Sequence, residues 1–116
     1  MSQDQRRTLT QMLEFAEEIL AQVALGREAY DADLTARRAV EWSYVRFGEA
    51  ANRLRRSYQE QIPGVPWAGI VGLRNAVVHR YDAVDHNVLW TVATEQLPGL
   101  VVELRRLLAA AEASET

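Results

Sequence analysis

The chain has 116 residues, 48% of them hydrophobic, which is enough to build the core of one domain. It carries a net charge of −3 and no cysteine. Disulfides and thiolate metal sites are therefore excluded, and a protein that coats nucleic acid through excess positive charge is disfavoured. We expect one domain over residues 1–116, with its core in about 8–108 and a polar tail at 109–116, in the reducing cytosol.

Apolar residues at helical spacing predict two long helices in the first half of the chain. Asp33 or Thr35 can cap the second of them. The first fifteen residues lack a long apolar run, so we expect no signal peptide and no membrane span. The first stripe, which ends before Gly26, contains Leu9, Met12, Leu13, Ala16, Ile19, Leu20 and Val23. The second stripe contains Val40, Tyr44, Phe47, Ala51, Leu54 and Tyr58.

The segment 62–66, Ile-Pro-Gly-Val-Pro, is the clearest break in the sequence. Pro66 is well placed as the first residue of a third helix, because its missing N–H would be unpaired there in any case. The apolar pattern carries this helix to about His79. The following segment, 81–84, has the length of a short connection.

Two more helices are predicted after that connection. Asp85 can cap the fourth, and Pro98 lies where this helix must stop or kink. The fifth carries Leu100, Val101, Leu104, Leu107 and Leu108. Because no strand pattern of useful length appears, the sequence predicts an all-α, up-and-down bundle of four or five helices.

The stretch from Arg74 to Tyr81 concentrates groups that are suited to phosphate chemistry. Arginine holds a fixed positive charge, and histidine titrates near neutrality. Metal-free RNA cleavage needs a base that takes the 2′-hydroxyl proton, an acid that protonates the leaving 5′-oxygen, and a cation for the phosphorane. We interpret His79 as the proton carrier and Arg74 as the cation. No spacing of His, Asp or Glu would gather three metal ligands, so we expect neither a metal nor another cofactor.

The spacing of Arg74 and His79 leaves their geometry open. Positions five apart on an ideal helix point about 140° away from each other, whereas Asn75 and His79 share a face. The helix ends before His79, or Arg74 reaches along a groove, or two copies meet in a symmetric dimer, which is the solution we favour. On spacing alone, an ordinary charge pair at a helix end remains an alternative.

Other polar residues of the second predicted helix form a stripe. Arg46, Glu49, Arg53 and Arg56 follow one another at spacings of three and four. The stripe is either a solvated face with internal ion pairs or a wall of an RNA cleft, in which Glu49 orients an arginine such as Arg74.

The tryptophans and the second histidine favour structural interpretations. Trp67, just after Pro66, is expected to be a core or staple residue, in preference to a residue that stacks a base. Trp42 and Trp90 are interpreted in the same way. His86 follows the cap candidate Asp85, and we expect it at the surface.

The stretch from Arg74 to Tyr81 lies within a longer series of short sequence segments whose order along the chain is characteristic. This series resembles the HepT-like branch of the HEPN superfamily, whose hallmark is Arg, four residues, His, any residue and Tyr. The resemblance extends over roughly residues 8–108. Its carriers are VPWAGIVGLRN at 65–75, HRYDAVD at 79–85, RAVE at 38–41, FGEAA at 47–51, VLW at 88–90 and LP at 97–98.

The resemblance implies a homodimeric helical ribonuclease toxin that cleaves RNA. It makes Arg74 and His79 catalytic and Asn75 a supporting polar residue, and we add Glu49 and Arg80 as supporting residues. The toxin would belong to a type VII toxin–antitoxin system.

The same resemblance implies an off-switch at Tyr81. The partner would be a minimal nucleotidyltransferase antitoxin, MntA-like, that transfers AMP from ATP to this tyrosine. A bulky anionic group there would fill the cleft and repel phosphate. Two alternatives remain: a catalytically silent helical partner that accepts AMP, and a purely structural protein.

Overall fold

The computed structural model describes residues 1–114, which contain seven helices and no strand. The all-α fold is confirmed. All five predicted helices are present, and two short ones, α2 and α4, were not predicted. The helices are α1 (Gln3–Val23), α2 (Arg27–Ala32), α3 (Leu34–Arg53), α4 (Arg56–Glu60), α5 (Trp67–His79), α6 (His86–Glu95) and α7 (Leu97–Ser114).

The central helix of the bundle is α1. Ser2 caps it by accepting a hydrogen bond from the Gln5 N–H at 3.1 Å, while the Gln5 side chain accepts one from the Ser2 N–H at 2.8 Å. Its apolar stripe faces inward, and Leu9, Met12, Ala16 and Ile19 are fully buried. Helices α3, α6 and α7 pack against α1, whereas α5 packs principally on α3. The helix that carries the motif therefore lies at the edge of the bundle.

Asp33 is the cap of α3, where it accepts a hydrogen bond from the Ala36 N–H at 3.0 Å. The expectation that this helix continues to Tyr58 is wrong, because the backbone becomes extended at Leu54 and a new short helix follows. The side-chain amide of Gln59 donates to the carbonyls of Ala51 and Leu54 and so stabilises this break. Tyr58 still belongs to the core.

The second half follows the predicted boundaries closely. Pro66 immediately precedes α5, one residue from its predicted place, and its carbonyl accepts from the Ile70 N–H. Asp85 caps α6 by accepting from the Asn87 N–H at 2.9 Å. Pro98 lies in the first turn of α7, where a residue without an N–H is tolerated.

The polar tail expected at 109–116 is wrong for most of its length. Helix α7 continues to Ser114, and Ala111 is buried. The alanines of this segment have the highest helix propensity of any residue, so the helix does not fade there. Residues 115 and 116 lie outside the described range. Along residues 1–114, no helix is both long and apolar enough to cross a membrane.

Candidate active site

Helix α5 packs closely on α3 at Gly48. A Cβ atom built on Gly48 would lie 2.2 Å from the Arg74 Cβ and 3.3 Å from the Ile70 carbonyl oxygen. Only a residue without a side chain allows α5 to pack this closely. This contact fixes the position from which the Arg74 side chain starts.

The guanidinium of Arg74 is held by two neighbours. Its Nη2 lies 3.6 Å from Glu49 Oε1, and its Nη1 donates to Asn75 Oδ1 at 2.9 Å. The side chain of Arg74 remains 30% exposed and that of Glu49 38% exposed. The structure thus brings together three of the residues singled out in the sequence and leaves the cation accessible.

His79 is the last residue of α5, so the possibility that the helix ends before it is wrong. Both Arg74 and His79 have helical geometry and point about 140° apart around α5. His79 is exposed, and its side chain forms no hydrogen bond or ion pair within residues 1–114. A single chain therefore does not bring Arg74 and His79 to one point.

The turn after α5 presents Tyr81 to solvent. Arg80 ends the helix, with its N–H donating to the Ala76 carbonyl, and its own carbonyl accepts from the Ala83 N–H at 2.8 Å. The Tyr81 side chain, at the tip of this turn, is 73% exposed.

The expectation of a surface position for His86 is wrong. Its Nε2 lies 3.1 Å from Glu41 Oε2, and its Nδ1 lies 2.5 Å from the Tyr30 hydroxyl. Glu41 is almost fully buried and also accepts from Arg38 Nη1 at 2.5 Å. Burial, and secondarily the negative charge of Glu41, raise the pKa of Tyr30 to about 12, so its hydroxyl is protonated. With the tyrosine as donor to Nδ1, the imidazole donates through Nε2 to the carboxylate.

This buried network was missed because Tyr30 belongs to α2, which has no strong sequence signal. Glu41, in contrast, had a usable one. It lies between the buried residues Val40 and Tyr44 on the inner side of α3, where an acidic residue requires partners. The network anchors the start of α6 and with it the end of the turn that carries Tyr81.

The tryptophans fall into two groups. Trp67 is buried, and its Nε1 donates to the Ile62 carbonyl at 3.0 Å, so its core role is confirmed. Trp90 is half-buried and packs on Tyr30 with ring centroids 5.3 Å apart. Trp42 is 60% exposed, so the core interpretation is wrong for this residue.

The predicted arginine stripe is interrupted at the break after α3. Arg46, Glu49 and Arg53 lie on α3, but Arg56 lies on α4, where it pairs with Glu60. Arg53 donates to the Gln11 side chain of α1. Glu49 is the stripe residue that contacts Arg74.

An apolar groove of about 460 Å³ runs along the other side of α5, between this helix and the α6–α7 pair. Glycines widen it at 64, 69, 72 and 99. Its apolar lining includes Ile70, Leu73, Ala76, Val92, Leu97 and Leu100. Within residues 1–114, no group of three or more His, Asp or Glu side chains is arranged to hold a metal ion.

An all-helical bundle with an Arg-x4-His-x-Tyr segment at the end of one edge helix defines a protein of the HEPN type. The chain belongs to the HepT-like ribonuclease family, since residues 9–107 match the family described as "Ribonuclease HepT-like". The resemblance found in the sequence is thereby confirmed.

Individual relatives agree with this assignment. The chain is 37% identical over 57 residues to "Putative RNase MJ1380" of Methanocaldococcus jannaschii, covering 49% of this chain and 52% of the relative. It is 30% identical over 61 residues to "Putative RNase TTE0752" of Caldanaerobacter subterraneus, covering 53% and 54%. It is 25% identical over 104 residues to "Probable ribonuclease HepT" of Thermococcus cleftensis, covering 90% and 93%. The chain thus spans about half the length of the first two relatives. No solved structure matches it significantly.

Proposed function

We propose that the protein is a metal-independent endoribonuclease that acts in the cytosol as the toxin of a type VII toxin–antitoxin system. The observation that carries the proposal is the placement of Arg74. Glu49 and Asn75 hold its guanidinium at an open surface, on the family's motif helix. A fixed, accessible guanidinium is the group that a phosphorane requires.

In the proposed reaction, a base removes the proton of a ribose 2′-hydroxyl and this oxygen attacks the adjacent phosphorus. The bond from phosphorus to the 5′-oxygen breaks, and an acid protonates the departing oxygen. The products are a 2′,3′-cyclic phosphate and a 5′-hydroxyl. His79 moves the protons and Arg74 stabilises the phosphorane, while Arg80 supports binding of the strand from the turn beside His79.

We infer that the active unit is a homodimer. Arg74 and His79 point in different directions around α5, so a second copy is the simplest source of the missing partner at each site.

A mixing experiment tests this dimer directly. Arg74→Ala and His79→Ala proteins are each expected to be inactive. If every site takes its arginine from one copy and its histidine from the other, a mixed dimer retains one intact site and regains activity. If one copy supplied both residues, the mixture would stay inactive and the shared site would be wrong.

RNA cleavage itself is tested with purified, unmodified protein. We expect products that end in 2′,3′-cyclic phosphate, formed equally well in EDTA. Cleavage that stops in EDTA would contradict the metal-free mechanism. If the purified, unmodified protein cleaves no RNA, the proposed ribonuclease activity is wrong.

The exposed turn at Tyr81 supports the proposed switch. A cognate minimal nucleotidyltransferase would transfer AMP from ATP to the Tyr81 oxygen and release pyrophosphate. The added group would block the cleft by its bulk and its negative charge. After co-expression, the intact mass should rise by one or more AMP units, and Tyr81→Phe should abolish the increase. A Tyr81→Phe protein that still gained AMP would place the modification elsewhere.

The same exposed hydroxyl also favours a second candidate function, that of a catalytically silent partner and AMP acceptor. This protein would bind the nucleotidyltransferase and gain AMP but would not cleave RNA. Growth inhibition by the unmodified chain, lost in His79→Ala, distinguishes the toxin from the silent partner.

A further inference from the structure

The outward side of α3 carries an exposed tryptophan between arginines. We call it the Trp42 face, and it consists of Arg38, Trp42, Arg46, Glu49 and Arg53, which follow one another at spacings of three or four. The fully buried residues of α3 lie elsewhere around the helix, and the neighbouring helices contact this face at its flanks, where Arg46 and Arg53 reach α1 and Glu49 reaches α5. The indole of Trp42 is 60% exposed.

Arg46 is an unusual cation within this face. Its guanidinium carbon lies 5.8 Å from the Trp42 ring centroid and 5.5 Å from that of Phe15. Its Nε is buried without a hydrogen-bond partner in the described structure. The side chain is thus held against two rings rather than by a carboxylate, and its positive charge is not neutralised by an ion pair.

The charge of the region is positive although the chain as a whole carries −3. Arg74 adjoins the face through Glu49. Glu41 pairs with Arg38, and Glu18 borders the face through its hydrogen bond from Ser43. The Trp42 face itself carries three arginines, at 38, 46 and 53, and one glutamate, at 49. An anionic partner is therefore favoured here.

An exposed indole flanked by a guanidinium is the surface on which unpaired bases stack, while arginines contact the phosphates between them. Trp42 and Glu49 are seven residues apart, two turns along the same side of α3, or about 10 Å. This is the rise of about three nucleotides in a stacked strand. A strand stacked on Trp42 could therefore reach the Arg74 guanidinium.

We propose that the Trp42 face is a binding subsite for single-stranded RNA, which stacks a base on Trp42 about three nucleotides from the phosphate at Arg74. The inference rests on the proposed ribonuclease function and adds a substrate class, an unpaired strand, and a place where it binds.

A second copy of the chain is the competing occupant, and the charge pattern disfavours it. A symmetric contact would place this arginine-rich side against itself. The single exposed indole also offers little apolar area compared with the roughly 800 Å² that each partner buries in a stable interface.

The test measures binding of a labelled 2′-O-methyl RNA strand, which lacks the attacking hydroxyl and cannot be cleaved. We expect Trp42→Ala to weaken binding about tenfold or more and Trp42→Phe to retain most of it. Arg46→Gln should lower the slope of log affinity against log salt by about one. The matched controls, Val102→Ala and Arg105→Gln on the exposed side of α7, should bind like the original protein.

Sedimentation of every variant separates RNA binding from self-association. Weaker RNA binding with unchanged assembly supports the subsite. Unchanged binding by Trp42→Ala, or a loss that accompanies a change in assembly, would overturn it.

Cleavage assays keep the two proposals distinguishable. On a strand of ten or more nucleotides, Trp42→Ala should raise KM and leave kcat unchanged, and on a dinucleotide it should match the original protein. If the original protein cleaves nothing, the ribonuclease function fails, and the binding assay still decides the subsite. If it cleaves and Trp42→Ala has the same KM, the subsite alone is wrong.

Discussion

The backbone of Gly48 packs directly against the base of the Arg74 side chain. A methyl group on Gly48 would lie 2.2 Å from the Arg74 Cβ and 2.8 Å from its Cγ. Atoms this close to the α5 backbone cannot turn aside as the tip of a long side chain can. Helix α5 must move to admit any side chain, and the guanidinium would then leave Glu49.

Gly48→Ala should therefore lower the free energy of unfolding by about 1–3 kcal/mol through overpacking. The better helix propensity of alanine, worth about 1 kcal/mol, offsets only part of this loss. RNA cleavage should fall as well, because Arg74 is displaced. Urea denaturation and a cleavage assay measure the two effects. The control is Gly72→Ala in α5, where an added Cβ meets nothing within 4 Å, so stability should be unchanged or higher.

Glu49→Gln should separate activity from stability. The Glu49–Arg74 pair is partly exposed, so its loss should change the free energy of unfolding by less than about 1 kcal/mol. A misplaced guanidinium should lower kcat by about ten- to a hundredfold. Glu60→Gln, which removes an exposed pair with Arg56, should affect neither quantity. A Glu49→Gln protein with the original kcat would show that Arg74 needs no orientation by Glu49.

The two histidine-to-alanine variants should differ in the property that they lose, which is stability in His86→Ala and RNA cleavage in His79→Ala. His86→Ala leaves Glu41 and the Tyr30 hydroxyl without a common partner inside the protein, so it should cost about 2–3 kcal/mol of stability. His79→Ala removes an exposed side chain and should stay within about 0.5 kcal/mol while abolishing cleavage. Urea denaturation of both variants measures the contrast, and equal midpoints would contradict it.

Alkaline pH should destabilise the fold through its buried tyrosines, because burial raises the pKa of Tyr30, Tyr44 and Tyr58, and Tyr30 should contribute a measurable part. Burial, with the charge of Glu41, raises the pKa of this residue from 10.0 to about 12. The folded chain then retains a proton that the unfolded chain loses, so the stabilisation is complete below pH 10 and disappears as the pH rises towards 12. Between these two pKa values, Tyr30 alone lowers the free energy of unfolding by about 1.4 kcal/mol per pH unit. Urea midpoints between pH 9 and 12 should fall less steeply in Tyr30→Phe, and identical slopes would contradict the assignment.

The long helices and their caps were predictable because their signals are local. Asp33 and Asp85 cap the helices that were expected to begin there, and the Pro63–Pro66 break separates α4 from α5. Helix α2 was not predicted, because its six residues are too few to show a helical repeat of apolar positions. Gly26, which precedes it, also has no side chain that could cap the helix.

The errors at single residues have physical causes of two kinds. His86 depends on Tyr30, 56 positions away in the sequence, and local spacing does not show such a partner. Trp42 could have been placed correctly, because it shares its side of α3 with Arg38 and Arg46 rather than with Val40 and Tyr44. The size of a tryptophan favours burial, but its position around the helix decides which side it faces.

At the candidate site, the sequence indicated the residue types, and it left the contact between Glu49 and Arg74 as one of two alternatives for the polar stripe. It did not indicate the role of Gly48, because the sequence around a helical glycine does not show which other helix packs against it. The separation of Arg74 from His79 followed from helix geometry and is present in the fold.

The three tryptophans differ in exposure, so the intrinsic fluorescence of the protein can report which of them is accessible to solvent. Trp67 is buried and Trp90 half-buried, so a water-borne quencher such as acrylamide reaches the indole of Trp42 first. Loss of quenching then signals that the outward side of α3 has been covered. The native chain thus reveals occupation of this surface by its own fluorescence, without a label or an added chromophore.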